Sequence, residues 1–359
     1  MRILLISYGD YEYDGRLRAL IKVFRQMGEL KCFLGGGGNQ PWITVYKSPY
    51  PLFLIKSIQY AIKSRNFDVL VLDNRKATVS GLVIKRLLKP KVVVQDCREF
   101  YKLKEVKHLS GKIGCIFEQK MIKKADIIIA ANKERSNLMV KEYGLKDAPL
   151  TYENLRQLEY ESEEIKKRAE EKMDRLVEPG WVNIISSSGC DISRTNDVLV
   201  RNLKNVNKRV KLYLVGDSNE KDVSTIKTLA KKDFVNSVVI TGRLNQSELK
   251  YLISRCDIGI VNYGQYDTNN KYCASGKLFE FIYEGIPVVT TTNPPLKNTC
   301  EDYSVGIADD DYHNGINIIL SNYDYYKSNV LKFADEHSVE ANDKQLVENL
   351  NGRMGGLMK

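Results

Sequence analysis

The chain has 359 residues, 43% of them hydrophobic, and a net charge of +10. That length suits two ordinary domains, that apolar content suits a packed globular protein, and no apolar run approaches the ~20 residues of a membrane span. The charge is uneven: residues 1–150 hold 28 basic and 14 acidic side chains, a net of +14, and the remainder nets −4. A basic half of this kind attracts an anionic surface such as nucleic acid, anionic lipid or a phosphate-bearing molecule. No nucleic-acid recognition motif accompanies the charge, so a nucleic-acid partner is not expected. The seven cysteines are scattered without a C-x-x-C and the N-terminus shows no signal-peptide pattern, so free thiols in a reducing cytoplasm are expected.

In chain order, residues 2–7 read as a buried strand, 16–27 as a helix with Leu17, Leu20, Ile21 and Phe24 on one face, and 30–34 as a second strand. Gly35 to Gly38 lacks the Gly-Lys-Ser/Thr that follows in a phosphate loop, so it reads as a flexible loop. Residues 52–64 read as an amphipathic helix packed on the sheet. Its aromatic and basic composition also fits a membrane surface. Strands at 69–72, 92–95 and 127–130 alternate with helices at 79–88, 113–123 and 134–143. Residues 159–175, dense in charge, read as an exposed helix leading to a domain boundary.

The alternation then restarts. Strands are expected at 182–186, 210–215, 238–241, 258–261 and 287–290, with helices near 196–204, 221–232, 247–255 and 277–284 and helical structure beyond Tyr312. Uniformly apolar strands between helices imply parallel sheets covered on both faces. The expected fold is α/β: two doubly wound, Rossmann-like domains facing each other across a cleft. Expected segments are a first Rossmann-like domain at 1–155, a charged helical linker at 156–180, a second Rossmann-like domain at 181–335 and a C-terminal helix at 336–359 that packs back on the first domain.

The most informative stretch runs from Lys271 to Thr292. Ser275 and Gly276 open a helix, Leu278, Phe279 and Ile282 give it an apolar face, and Gly285 stops it. Lys277 and Glu280 share its first turn. A helix N-terminus with an added lysine suits a phosphate, and a carboxylate one turn deeper suits ribose hydroxyls. A surface helix carrying a Lys–Glu pair fits the same residues.

Around this stretch, short segments follow one another in an order that resembles the donor-binding half of retaining, GT-B-fold glycosyltransferase family 4. They are Ser187-Ser188-Gly189 with Arg194, the strand 212–216, Thr241-Gly242-Arg243-Leu244, the strand 256–263 ending in Tyr263, Lys277-Leu278-Phe279-Glu280, and the run 285–289. In the first half, Asp14-Gly15-Arg16 at a helix start, Asp96-Cys97-Arg98-Glu99 after a strand, and Glu118 are similar to the family more loosely. Two departures stand out. The first of the family's paired glutamates falls on Tyr272, and a histidine of its Asp-x-His-Glu motif falls on Arg98.

The resemblance implies a metal-independent transfer of a sugar, with retention, from a nucleotide-diphosphate donor, a UDP-sugar favoured, to a saccharide acceptor. A lipid-linked acceptor in surface-polysaccharide assembly is expected. Donor binding falls to Gly189, Arg194, Arg243, Leu244, Tyr263, Ser275, Gly276, Lys277 and Glu280. Asp14, Asp96, Glu99 and Arg98 are the candidate catalytic or acceptor-side residues, with Arg98 suited to an acceptor phosphate. Asp14 is equally suited to cap a helix, and Asp96 and Glu99 to cap loops. No cofactor is expected. Asp309-Asp310-Asp311, which matches an Asp-x-Asp metal string, reads as a helix-capping cluster. Trp42, Tyr46, Tyr50, Phe53, Tyr101 and Lys102 among lysines suggest contact with an anionic membrane. The departures leave a second reading, a catalytically silent partner subunit of another glycosyltransferase.

Overall fold

The computed structural model describes residues 1–233 and 237–358, which form two compact units. The first unit comprises Met1–Asn154 together with the chain from Glu340 onward, and the second is Leu155–Val339. In the first, the order is β1 (Arg2–Ser7), α1 (Gly15–Met27), β2 (Glu29–Leu34), β3 (Ile43–Val45), α2 (Tyr50–Lys63), β4 (Val69–Asp73), α3 (Thr78–Leu88), β5 (Val92–Cys97), α4 (Leu109–Ile122), β6 (Ile127–Ala130), α5 (Lys133–Tyr143) and β7 (Leu150–Thr151). The strands form one parallel sheet in the order β3-β2-β1-β4-β5-β6-β7.

Side chains alternate across a strand, so β1 feeds two cores. Ile3 and Leu5 pack with Leu17, Leu20 and Phe24 of α1, and Leu4 and Ile6 pack with Phe53 of α2, Ile84 of α3 and Met121 of α4. Each such burial contributes roughly 1.5–3 kcal/mol. The glycine run 35–38 is not a free loop. Gly36 N–H donates to the Gly9 carbonyl at 2.9 Å, Gly37 N–H to Asp10 at 2.6 Å, and a Cβ on Gly36 would stand 2.6 Å from the Asp10 Cα.

The second unit contains α6 (Glu163–Met173), β8 (Val182–Ser186), α7 (Asn196–Asn202), β9 (Val210–Val215), α8 (Glu220–Asp233), β10 (Val238–Gly242), α9 (Gln246–Ser254), β11 (Ile258–Val261), α10 (Thr268–Lys271), α11 (Gly276–Tyr283), β12 (Val288–Thr290), α12 (Pro294–Tyr303), β13 (Gly306–Ala308), α13 (Tyr312–Ser321) and α14 (Tyr323–Glu336). Its sheet is also parallel, in the order β10-β9-β8-β11-β12-β13.

The charged stretch 156–180 lies within this second unit rather than between the two. Ala169 and Met173, four apart on α6, are buried, and Lys172 and Asp174 reach Glu248 and Tyr251 of α9 at 2.7 and 2.8 Å. A last helix, α15 (Val339–Leu357), buries Leu346, Leu350 and Met354 in the core of α1, and its buried Asp343 accepts from Tyr152 Oη at 2.6 Å and pairs with Lys22 at 3.0 Å. All seven cysteines are free and buried. Among the described residues no helix is long and apolar enough to cross a membrane.

Candidate functional site

The carboxyl ends of parallel strands are where open α/β sheets hold ligands, and each unit gathers charge there. In the second unit three loops are laced together. Gly189 N–H donates to the Val215 carbonyl at 2.8 Å, and Gly216 N–H to the Gly242 carbonyl at 2.9 Å. Gly189 has φ +65°, and a Cβ there would lie 2.7 Å from the Asp217 carbonyl oxygen and 2.6 Å from Ser218 Oγ, so only glycine fits. Beneath the first loop, Asn262 Nδ2 donates to Asn196 Oδ1 at 2.9 Å, Ser188 Oγ donates to Asn262 Oδ1 at 2.9 Å, and Ser186 and Ser188 hydroxyls meet at 2.9 Å. This buried network fixes the loop's shape.

Ser187 Oγ, Ser275 Oγ and Arg194 Nη1 are buried and make no hydrogen bond among the described residues. Lys277 makes neither a hydrogen bond nor an ion pair among the described residues. Arg194 lies over the Tyr263 ring, 3.9 Å from its centroid. Burial, and then Arg194, push the Lys277 ammonium down to about 8, against the pull of Glu280 and Asp191. Ser275 stands at the N-cap of α11 without capping it through its side chain, so its hydroxyl is available. Buried donors of this kind are normally satisfied. Guanidinium, ammonium, two hydroxyls and a helix N-terminus make a set that an anion completes.

Glu280, 2% exposed, accepts an ion pair from Arg156 Nε at 3.0 Å. Burial raises its pKa, and Arg156 and Lys277 oppose the rise. Leu244 is half-buried against the core of this unit. Arg243 stands apart: its side chain is 72% exposed and, among the described residues, pairs only with Asp217, at 3.8 Å. Gly276 is the first residue of α11.

The aspartate run does not cap α13 through its side chains. Asp309 accepts from the Asp311 N–H at 2.8 Å, Asp310 accepts from Thr292 N–H and Oγ at 3.0 and 2.6 Å, and Asp311 faces His313. Asp309 and Asp310 bind loop groups instead, and Asp311 meets a side chain in the first turn of α13.

In the first unit, Asp14 caps α1 by accepting from the Leu17 N–H at 3.0 Å, and the Arg98 guanidinium bonds to it. Arg98 also reaches Asp73 at 2.7 Å and Asp96 at 3.5 Å, and Arg16 holds Asp96 at 2.9 Å. Three carboxylates thus surround Arg98, whose side chain is 15% exposed. Arg98, expected to grip an acceptor phosphate, has its guanidinium set among three carboxylates of its own unit. Asp73, absent from the sequence reading, is fully buried at the end of β4. Desolvation raises its pKa, and Arg98 opposes that. Glu99 is exposed on the loop after β5. Glu118 pairs with Arg75 at 2.9 Å, and burial lifts it to about 6.

Sequence reasoning also missed Arg156 and Asn196. Arg156 lies in an irregular segment without periodicity, and Asn196 reads simply as a helix start.

No family model matches the chain, and no curated protein sequence matches it. Solved structures do. Anabaena HepE in complex with UDP and glucose superposes with a TM-score of 0.75 at 15% identity, covering 98% of this chain and 100% of that one. Sucrose-phosphate synthase from Thermosynechococcus elongatus gives 0.70 at 14%, covering 99% and 100%. WaaG, a glycosyltransferase involved in lipopolysaccharide biosynthesis, gives 0.65 at 12%, covering 98% and 100%. The chain has the fold of these GT-B glycosyltransferases, two parallel-sheet α/β domains of Rossmann-like topology.

Proposed function

We propose that this protein is a glycosyltransferase that takes a sugar from a nucleoside-diphosphate donor, UDP favoured, and passes it with retention to a saccharide acceptor. The observation that carries the reading is the set of unpartnered donors, Arg194 Nη1, Ser187 Oγ, Ser275 Oγ and Lys277, beside the buried carboxylate of Glu280. The cations and hydroxyls take the diphosphate, and Glu280 takes the ribose hydroxyls. HepE has been solved with UDP and with UDP-glucose, which supports the choice of nucleotide.

Charge builds on the leaving diphosphate during transfer. In this reading Arg194, Lys277 and the N-terminus of α11 stabilise that charge, which is the largest lever such a site has. In the retaining mechanism the leaving phosphate itself assists front-face attack, so no strong protein base is invoked. Asp14, Asp96 and Glu99 are the acceptor-side candidates. Glu99 is the exposed one of the three, whereas Asp96 is committed to Arg16 and Arg98. Kinship of fold with WaaG supports a lipid-linked saccharide as acceptor.

Calorimetry with UDP, GDP, ADP and CDP, followed by transfer assays across the corresponding sugars with NMR of the product's anomeric centre, tests the proposal. Transfer with an unchanged anomeric configuration is expected. Nucleotide binding without any turnover would instead make the chain a silent partner subunit. Conversion of the donor without acceptor would make it an epimerase, the activity of another structure of this fold, UDP-GlcNAc 2-epimerase from Neisseria meningitidis.

A further inference from the structure

Helices α2, α3 and α4 lie side by side on one face of the first unit's sheet, α2 against α3 and α3 against α4. Their inner sides are buried through Phe53, Ala61, Ile84 and Met121. Their outer sides are not polar. Leu52 and Ile55 on α2 and Val83 and Leu87 on α3 are exposed. So are Leu109, Ile113 and Ile116 on α4, where Leu109 is 74% exposed. The spacings of three, four and seven give each helix a stripe pointing away from the core. Soluble surfaces scatter such residues singly, and a grouped set marks a contact.

The charges on these helices are one-sided. Lys56, Lys63, Lys85, Arg86, Lys112 and Lys120 face a single acid, Glu118, which is buried and held by Arg75. Beyond the helix ends, Asp126 is bound to Lys85 at 3.0 Å. A groove of about 710 Å³ runs along α4, lined by Leu103, Leu109, Ile113 and Ile116 with Lys102, Lys104 and Lys112. Its acid, Glu142, pairs with Lys102 at 3.2 Å. The aromatics that the sequence suggested for a membrane contact are engaged elsewhere: Phe53 is in the core, Tyr46 stacks on Phe33, Trp42 packs on Tyr11, and Tyr101 lies on Arg75.

We propose that the outer face of α2, α3 and α4 docks on an anionic lipid bilayer. Apolar stripes enter the acyl boundary while lysines and arginines sit at the level of the headgroup phosphates. A second copy is a poor occupant, because two-fold pairing would set six basic side chains against six. Nucleic acid would leave the apolar stripes unused.

Flotation of the full chain with phosphatidylcholine vesicles, with and without phosphatidylglycerol, tests this. Binding is expected only with the anionic lipid and should weaken with salt. Each basic residue near such a surface is worth about fivefold in partitioning. Neutralising Lys63, Arg86, Lys112 and Lys120 to Gln should therefore lower binding by nearly three orders of magnitude, about 600-fold. Leu109→Gln with Ile113→Gln and Ile116→Gln should also release the protein from vesicles. All these side chains are exposed, so UDP affinity and melting temperature should stay at wild-type values, which separates this proposal from the donor reading. If the apolar variant misfolds, the charge variant decides. Equal flotation with neutral and anionic vesicles, or variants that float like wild type, would overturn it. So would concentration-dependent self-association abolished by the apolar variant, which would assign the face to a second copy.

Discussion

Arg156 Nε stands 3.0 Å from a Glu280 carboxylate that is almost wholly buried, while the arginine itself is half-exposed. The pair is asymmetric: Glu280 depends on Arg156 for its charge, and Arg156 keeps water as an alternative. Glu280→Ala should fold and should weaken UDP binding, because a charged hydrogen bond is worth about 1.5–3 kcal/mol, or about 10- to 150-fold. Arg156→Ala should act through acid. The raised pKa of Glu280 rises further without its partner, and UDP affinity is lost as pH falls through it. Affinity measured between pH 5 and 8 should drop at a higher pH in Arg156→Ala than in wild type. Parallel pH profiles would separate Arg156 from Glu280 functionally.

Lys277 gives the opposite limb. Its ammonium is pushed down to about 8 in the free protein, first by burial and then by Arg194. A diphosphate favours the charged form, so UDP binding near pH 8 should draw protons from the buffer, and affinity should fall as pH rises through about 8. Calorimetry in two buffers of different ionisation enthalpy reads this directly. Identical apparent enthalpies would remove Lys277 from the phosphate site. Lys277→Gln should abolish the proton uptake and lower turnover more than UDP affinity.

Arg98 should prove structural. Arg98→Met leaves Asp73 buried without its cation, while Asp96 keeps Arg16, and this is expected to cost about 3–5 kcal/mol. The sign with pH follows from linkage. Asp73 already has a raised pKa in the folded state, so the fold binds more protons than the unfolded chain and loses stability as pH rises through that window. Removing Arg98 widens the window. Thermal melts should therefore show a larger loss for Arg98→Met at pH 7.5 than at pH 5. A variant that melts like wild type but fails with phosphorylated acceptors would return Arg98 to acceptor binding.

Gly189→Ala places a methyl 2.7 Å from the Asp217 carbonyl at φ +65°. Strain of about 1–3 kcal/mol is expected, seen as a lower melting temperature together with weaker UDP binding, because the loop carries both. Wild-type UDP affinity would mean this loop lies outside the donor site.

The alternation of apolar strands and helices was legible because each parallel strand is buried on both faces and reads as an unbroken run, as 69–73 does. Elements with fewer buried residues were not. The edge strands β3 and β7 have three and two residues, too few for a pattern. α12 opens with Pro294-Pro295, which reads as a turn although proline suits the first helical turn. The charged stretch 159–175 hid its packing because only Ala169 and Met173 bury. At the proposed donor site, Lys277 and Glu280 could be placed because three residues on a helix fix their proximity. Arg156, more than 100 residues away in sequence, could not. In the first unit the chemistry of Arg98 was legible but its surroundings were not, since Asp14, Asp73 and Asp96 converge on it from α1, β4 and β5 only through the sheet order.

Calorimetric titration of UDP and of uridine into wild type and Arg194→Gln bears most directly on the donor site. The unpartnered Arg194 Nη1 and its neighbours predict saturable UDP binding, far weaker uridine binding, and a loss of about 10- to 150-fold for UDP but not for uridine in the variant. Absence of UDP binding to wild type, or equal UDP affinity in both proteins, would contradict it.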